Sequence, residues 1–225
     1  MRVVLCILLI VSVTSGCTSY HDRETFLKSH SLDNFMADRP QAADLLRQHP
    51  ALEEWLRTEW NQLIKDYQLV WDNNQPNDSS ASEWVPFPED HLIAIRVSKK
   101  LLPADQLLTL SFEICNAQGF PRVDALEAQA AAGKISRPDF VDGFDAIEYD
   151  ALLRMKENFP KLLPLSGNDA TAFYRELLEV PAGFREYQTW SVRTHSQNYI
   201  HAQDLYGRRY DRLVKGKKLS ATPNN

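Results

Sequence analysis

Carboxylates form the densest group of chemically capable side chains in this sequence. Five recur at short intervals, namely Asp139, Asp142, Asp145, Glu148 and Asp150. Two of them could act as acid and base or hold a cation. A glycosidase, however, needs its two carboxylates across a cleft, and spacing along one helix does not establish that arrangement. We therefore expect a solvated acidic face, stabilised by a helix dipole, that suits a basic partner.

The histidines show no clear metal-binding pattern. They are His21, His30, His49, His91, His195 and His201. If one helix carries the last two, their side chains point about 120° apart, so a zinc site would need ligands from elsewhere. We predict solvated or helix-capping histidines, no metal and no cofactor.

Familiar catalytic motifs are missing from the sequence. It contains no G-x-S-x-G, H-E-x-x-H, S-x-x-K or C-x-x-C, and its eight glycines form no phosphate-binding loop. The formal net charge of -5 is unsuited to neutralising phosphates, so nucleic-acid binding is not expected. The enzymatic alternative is a cell-wall or lipid hydrolase with dispersed catalytic residues such as Glu113, Asp142 or His195.

Two further regions carry side chains that favour protein interfaces. The Pro/Asn/Ser-rich segment 72–88 contains Trp84 and Phe87, which either form an exposed recognition tip or attach the loop to the body. Near the C-terminus aromatic and basic residues are mixed, as at interface hot spots, although cations also suit a helix C-terminus. The predicted partner-binding residues are Trp84, Phe87, Asp139, Asp142, Asp145, Tyr199, Tyr206, Arg208 and Arg209.

Prolines and capping residues predict the helices that must position these groups. Ser31 is a predicted N-cap, and Pro40 and Pro50 each open a helix. The strongest helical pattern follows Pro50, where apolar and aromatic residues from Leu52 to Trp71 keep three-and-four spacing for about five turns. We interpret this stripe as facing the core.

Segment 92–114 allows two interpretations. Its alternating apolar residues predict a β-hairpin, whereas early acids, late lysines and Pro103 favour two buried helices. We favour the helices.

The C-terminal half has a helical pattern throughout. One helix should end at Gly133, and a long helix should run from Ser136 to Pro160. Asn168 or Asp169 should cap a short helix, and a last helical stretch should run through residues 181–214. The predicted fold is mostly α, with seven to nine helices around one core, one long Pro/Asn/Ser loop and, as the alternative in 92–114, a small β-hairpin.

The N-terminus has the layout of a secretory signal. Arg2 precedes an apolar run of about eleven residues, and the small residues Ser15 and Gly16 lead into Cys17. This end resembles the lipobox of bacterial lipoprotein precursors. The resemblance implies cleavage before Cys17 and attachment of acyl chains, such as palmitate, to it. Thr18, where an Asp would retain the protein at the inner membrane, implies the outer membrane.

These patterns divide the chain into a signal peptide at 1–16, a lipidated cysteine and short tether at 17–22, a helical periplasmic domain at 23–218 and a flexible tail at 219–225. Cys115 is then the one cysteine left in the mature body besides the anchor, and its apolar neighbours predict that it is buried. The fold should therefore depend on packing rather than on disulfides.

The sequence as a whole favours a non-enzymatic lipoprotein that is anchored to the outer membrane through Cys17, faces the periplasm and binds a protein partner. The specific expectation is an inhibitor, such as an immunity protein, against a secreted enzyme or toxin that attacks the envelope. An envelope-assembly accessory protein would have the same features, and the hydrolase is the alternative from another class.

Overall fold

The computed structural model describes residues 31–62, 64–76, 82–195 and 202–220. These residues form nine α-helices and one three-stranded sheet, which confirms the predicted mostly-α fold. In chain order the elements are α1 (Leu32–Asp38), α2 (Pro40–Arg47), α3 (Pro50–Trp60), β1 (Gln68–Trp71), β2 (Ser82–Phe87), β3 (Leu92–Val97), α4 (Pro103–Ala117), α5 (Phe120–Ala132), α6 (Arg137–Leu162), α7 (Ala172–Glu179), α8 (Phe184–His195) and α9 (Ala202–Ser220).

The first three helices begin where local chemistry predicts. Ser31 precedes α1, and its backbone N–H donates to Asn34 Oδ1 at 3.0 Å, which satisfies a backbone donor at the helix start. Pro40 and Pro50 occupy the first positions of α2 and α3, where a missing N–H costs no helical hydrogen bond.

The predicted long helix from residue 50 to 71 is wrong, because α3 ends at Trp60. Lys65 has a φ of 64°, which a helix does not accommodate, and Ile64 and Tyr67 form a small bridge around it. Trp71 then belongs to β1. The stripe was still correctly interpreted as core-facing, since Ile64, Tyr67 and Trp71 are all buried.

One strand of the sheet, β3, lies in segment 92–114, where two helices are predicted. Its strand order is β1-β3-β2, with β1 parallel and β2 antiparallel to β3. Residues 92–97 are thus a strand, and their alternation places Ile93, Ile95 and Val97 in the core. The strand that pairs with β3 in a hairpin is 82–87, part of the segment predicted as a long loop. The alternative of a hairpin within 92–114 is also wrong, because Pro103 opens helix α4 as expected.

Helix α4 lies at the centre of the fold. Every residue from Asp105 to Ala117 is buried, including Cys115 as predicted. The helix packs against both β2 and β3 and against α2, α3, α6 and α7. It packs closely on α6 at its C-terminal end, where a Cβ on Gly119 would lie 2.3 Å from Ile147 Cγ2. The α4–α6 interface therefore has no room for an additional methyl group at position 119.

The remaining helix boundaries follow the sequence in part. Gly133 ends α5 with a left-handed φ of 69°, and Ser136 caps α6, both as predicted. α6 continues past Pro160 to Leu162, and the cap of α7 is Thr171 instead of Asn168 or Asp169. The last helical stretch is described as two helices, α8 and α9.

Several predictions fall outside the described residues. These are the signal peptide at 1–16, the lipidated cysteine and tether at 17–22, Tyr199, His201 and positions 221–225. Residues 219 and 220, assigned to a flexible tail, belong to α9. Within the described part of the chain, no helix combines the length and apolar character needed to cross a membrane.

Candidate functional site

The acidic residues of α6 form a ladder that runs from the surface into the interior. Asp139, Asp142, Asp145 and Glu148 are spaced three residues apart, so they drift slowly around the helix instead of sharing one exposed face. Asp139 and Asp142 are exposed, whereas Asp145 is buried and Glu148 is half-buried. The predicted solvated acidic face therefore holds only for its outer members.

The outer acids are tied to neighbouring groups. Ser136 Oγ donates to Asp139 Oδ2 at 2.6 Å and accepts from the Asp139 N–H, so one serine both caps α6 and orients its first carboxylate. Gln188 of α8 donates to Asp142 Oδ1 at 3.0 Å. Farther along, Arg122 pairs with Asp150 at 2.5 Å on the surface. Asp139 and Asp142 keep solvent-facing oxygens on a face bordered by α8.

The inner acids lie in a different environment. Asp145 is 7% exposed, and burial raises its pKa to about 6, although a hydrogen bond from Gln188 opposes the shift. Burial also raises the pKa of Glu148 to about 8; a hydrogen bond from Tyr206 lowers it, and the charge of Asp145 raises it. Glu148 Oε1 is enclosed and accepts no hydrogen bond from the described residues.

Helix α4 adds a second enclosed acid. Glu113 is 0% exposed, and Ser82 Oγ of β2 donates to its Oε1 at 2.7 Å. Its Oε2 has no hydrogen-bond partner among the described residues. Burial raises the pKa of Glu113 to about 8, the Ser82 bond lowers it, and the charges of Glu148 and Glu83 raise it. Glu113 and Glu148 therefore interact across the α4–α6 interface.

Asn116, one turn after Glu113 on α4, completes what we call the inner cluster: Glu113, Asn116 and Glu148. Its residue exposure is 1%, and both its amide oxygen and its amide nitrogen are enclosed without a hydrogen-bond partner in the described structure. A buried amide without partners is costly, because its desolvation is not offset.

Two tyrosines lie beside the inner cluster. Tyr206 of α9 hydrogen-bonds to Glu148, and its ring stacks on Phe144 with centroids 4.7 Å apart. Tyr187 of α8 is buried as well. Burial, followed by the charges of Glu148 and Asp145, raises the pKa of Tyr187 well above its ordinary value. Both phenols are therefore protonated over the physiological pH range.

The chemistry open to this arrangement is that of neutral acids. At pH 7 a carboxyl group with a pKa near 8 is mostly protonated, so Glu113 and Glu148 are proton donors more than anionic ligands. No set of three His, Cys, Asp or Glu side chains within the described ranges is placed to hold a metal ion.

The structure separates the predicted partner-binding residues into surface and core. Asp139, Asp142 and Arg208 are exposed, and Phe87 is half-buried against Val70, Leu92 and Ala94. Tyr199 lies outside the described residues. The others are enclosed: Trp84 is 0% exposed and packs on Phe120, while Asp145, Tyr206 and Arg209 are buried around α6.

The burial of Trp84 and Arg209 has clear causes. Trp84 lies on the core-facing side of β2, so the aromatic pair attaches this segment to the body. The Arg209 guanidinium pairs with Glu127 and lies 5.1 Å from the centroid of Phe144, which places its charge between α5 and α6. A partner could reach either side chain only if the helices moved.

The hydrolase candidates are not equivalent in the structure. Glu113 is enclosed, Asp142 is exposed, and His195 is the last residue of α8. Sequence reasoning missed Ser82 and Asn116. The one available signal is that Glu113 and Asn116 lie within the mostly apolar segment 107–117.

Two open cavities bounded by described residues lie elsewhere, along the outer side of α3. One is about 340 Å³ and includes Asp33, Arg57 and Gln68; the other is about 430 Å³ and includes Glu54 and Arg57. Neither is lined by a member of the inner cluster.

No protein-family model, curated protein or solved structure matches this chain, so its function must be argued from its own residues.

Proposed function

We propose that this chain is a non-enzymatic, lipid-anchored protein of the outer membrane that faces the periplasm and binds a protein partner. Within that class it acts as an inhibitor, such as an immunity protein, of a secreted enzyme or toxin that attacks the envelope. The anchor rests on the sequence Ser15-Gly16-Cys17.

The binding proposal rests on the difference in exposure between the outer and the inner acids of α6. Its outer carboxylates, Asp139 and Asp142, are exposed and held in position by Ser136 and Gln188. Carboxylates that are already oriented lose little side-chain entropy when a basic surface meets them. We therefore assign the partner surface to the N-terminal end of α6, beside α8.

The burial of the acids with raised pKa values argues against the hydrolase alternative. The acids with the most perturbed pKa values, Glu113 and Glu148, are those expected of a catalytic pair. A catalytic acid must reach the bond that it protonates, within about 3 Å of the substrate atom. Glu113 is 0% exposed, and one of its two oxygens is taken by Ser82.

Capture from detergent-solubilised membranes tests the binding surface. The full chain, tagged at its C-terminus, should retain one protein in stoichiometric amount, and Asp139→Lys/Asp142→Lys should reduce that capture at least tenfold. The control is Glu157→Lys, an equal charge change per site at an exposed position of the same helix. Equal capture by all three proteins, or no stoichiometric protein with the unaltered chain, overturns the proposal.

Metabolic labelling with an alkyne analogue of palmitate tests the anchor separately. The unaltered chain should be labelled and should sediment with membranes, and Cys17→Ser should lose both properties. Cys115→Ser is the control, because that thiol is buried in the core. Labelling that survives Cys17→Ser would show that the lipid is attached elsewhere and contradict the proposed anchor.

A further inference from the structure

Helix α9 has a basic face that the proposed partner surface does not use. Arg208, Arg212 and Lys215 follow one another at intervals of four and three residues, so they lie in one row along the helix. All three residues are exposed. We call this row the basic stripe.

The basic stripe points away from the body of the protein. The other side of α9 packs on α6, where Tyr206 stacks on Phe144 and the ring of Tyr210 contacts that of Phe140. At 100° per residue, the stripe lies about 160° around α9 from these two tyrosines. The stripe is therefore a row of cations that faces solvent and takes no part in the helix packing.

The acid on the flank of the stripe is offset by a cation from another helix. Arg137 of α6 pairs with Asp211, with Nε and Oδ1 3.5 Å apart. The guanidinium of Arg137 also lies directly against Gly207, where a Cβ would clash with it. The missing side chain at Gly207 thus lets Arg137 reach α9, and the stripe keeps its positive character beside Asp211.

The basic stripe and the proposed partner surface lie on different sides of α6. α9 packs along Phe140 and Phe144, whereas Asp142 accepts a hydrogen bond from Gln188 of α8. Asp142 is about 160° around α6 from both phenylalanines. A surface that covers the stripe therefore leaves the outer carboxylates open to a protein partner.

We propose that the basic stripe is a membrane-contact surface that binds the anionic headgroups of phospholipids. Guanidinium groups donate paired hydrogen bonds to phosphate oxygens, and basic residues beside a membrane are attracted by its negative surface. The inference rests on the proposed attachment at Cys17. Because an anchor fixes only one point of the chain, the stripe would set the orientation of the body, with Asp139 and Asp142 turned away from the lipid.

Partition into lipid vesicles tests the proposal. The full chain carries Cys17→Ser, so that no acyl chain at this position contributes. Its co-sedimentation is compared between vesicles of phosphatidylethanolamine with phosphatidylglycerol and neutral vesicles of phosphatidylethanolamine with phosphatidylcholine. The anionic vesicles should be preferred at least about tenfold at low salt, and high salt should remove the preference, because salt screens exposed charges. With a net charge of -5, a chain without a local basic surface would avoid anionic vesicles.

Two variants of the stripe, compared with a matched control, assign the preference to α9. Arg212→Glu/Lys215→Glu should abolish the preference for anionic vesicles, and Arg212→Gln/Lys215→Gln should reduce it. The control, Lys99→Glu/Lys100→Glu, makes the same change of charge at two exposed positions that follow β3, and it should keep most of the preference. Because all four side chains are exposed, the variants should fold, which circular dichroism checks.

The proposal is wrong if the parent chain does not prefer anionic vesicles, or if the stripe variants prefer them as strongly as the parent or the control does. It is also wrong if Arg212→Glu/Lys215→Glu loses the captured protein while its vesicle binding is unchanged, because the stripe would then bind an acidic protein. The proposed function fails separately: Asp139→Lys/Asp142→Lys is tested by capture in detergent, without vesicles, and Cys17 by palmitate labelling.

Discussion

Helices α4 and α6 take part in two polar clusters that differ in how their charges are balanced. The inner cluster holds two carboxyl groups and an amide without a cation. The other, which we call the paired cluster, consists of Glu59 from the end of α3, Gln118 just after α4 and Arg154 of α6.

Every member of the paired cluster meets a partner. Arg154 Nη2 lies 2.5 Å from Glu59 Oε1, Gln118 Nε2 donates to Glu59 Oε2 at 2.6 Å, and Arg154 also donates to the Gln118 amide oxygen. The cluster connects α3, α4 and α6 through charge-assisted hydrogen bonds, which are the stronger kind. The cluster therefore holds these three helices together.

The inner cluster makes no comparable contribution to stability. Two carboxyl groups must stay protonated, and several polar atoms find no partner in the described structure. Polar groups that cost stability persist in proteins mainly where they serve a site. The comparison therefore separates a cluster that holds the helices together from one whose polar atoms are not compensated by contacts among the described residues.

The largest effect should come from breaking the paired cluster. Arg154→Met leaves Glu59 buried without its cation, and we expect the free energy of unfolding to fall by about 3 kcal/mol, since an uncompensated buried charge is costly. Urea denaturation at pH 7 measures it. Arg47→Met, which breaks the exposed pair with Asp44, should cost less than about 1 kcal/mol. Equal losses in the two variants would remove the distinction between the clusters.

In the inner cluster, removing a carboxyl group should increase the free energy of unfolding at alkaline pH. The pKa of Glu113 rises from 4.5 to about 8 on folding, so the unfolded chain loses that proton first as the pH increases. Its contribution is fully present below pH 4.5 and is lost as the pH rises through 8. The groups facing it are Ser82 and Glu83 from β2 and Glu148 from α6, which titrates in the same range.

Glu113→Gln should therefore stabilise the protein at pH 8 by at least about 2 kcal/mol and change little at pH 4.5. The measurement is the free energy of unfolding of both proteins at several pH values, taken as a difference so that other carboxylates cancel. A variant that is less stable than the unaltered chain at pH 8 would mean that Glu113 is ionised and compensated in the fold.

Asn116, which is buried, and Gln118, which is half-buried, are two amides at the end of α4 that differ in their hydrogen bonds. Gln118→Leu removes a donor to Glu59 and an acceptor from Arg154, so it should cost about 2 kcal/mol. Asn116→Leu removes only unpartnered atoms and should be neutral or stabilising by about 1 kcal/mol. Thermal unfolding of both variants measures the contrast. A loss at Asn116 as large as that at Gln118 would mean that the Asn116 amide is bonded after all.

The sequence predicted α4 and α6 but not what lies between them. Pro103 and Ser136 are local start signals, so the two helices could be placed. The environment of Glu113 depends on contacts with residues 31 positions earlier and 35 later, at Ser82 and Glu148, and no local pattern encodes such contacts.

The sheet was missed for a related reason. Pro86 and Pro88 flank Phe87, which suggested a loop, yet an edge strand tolerates proline because one side of it needs no ladder donors. β3 pairs with both other strands, and its alternating apolar residues predict a strand. The acids before it and the lysines after it, however, also suit a helix dipole. The end of α3 had no sequence signal, because Lys65 takes the left-handed conformation that glycine normally provides.

The smallest expected effect concerns the ion pair between Arg122 and Asp150. It joins an arginine to a carboxylate, as in the paired cluster, but its carboxylate is exposed. Arg122 and Asp150 approach to 2.5 Å, as closely as Arg154 and Glu59, but both side chains are more than half exposed. Asp150→Asn should change the free energy of unfolding by less than about 0.5 kcal/mol, because water replaces what the pair loses. A double-mutant cycle with Arg122→Gln measures the coupling, and the same cycle on Glu59 and Arg154 should give several times more. Comparable couplings would mean that distance alone sets the energy of these pairs; a large ratio assigns it to burial, which also sets the high pKa values of Glu113 and Glu148.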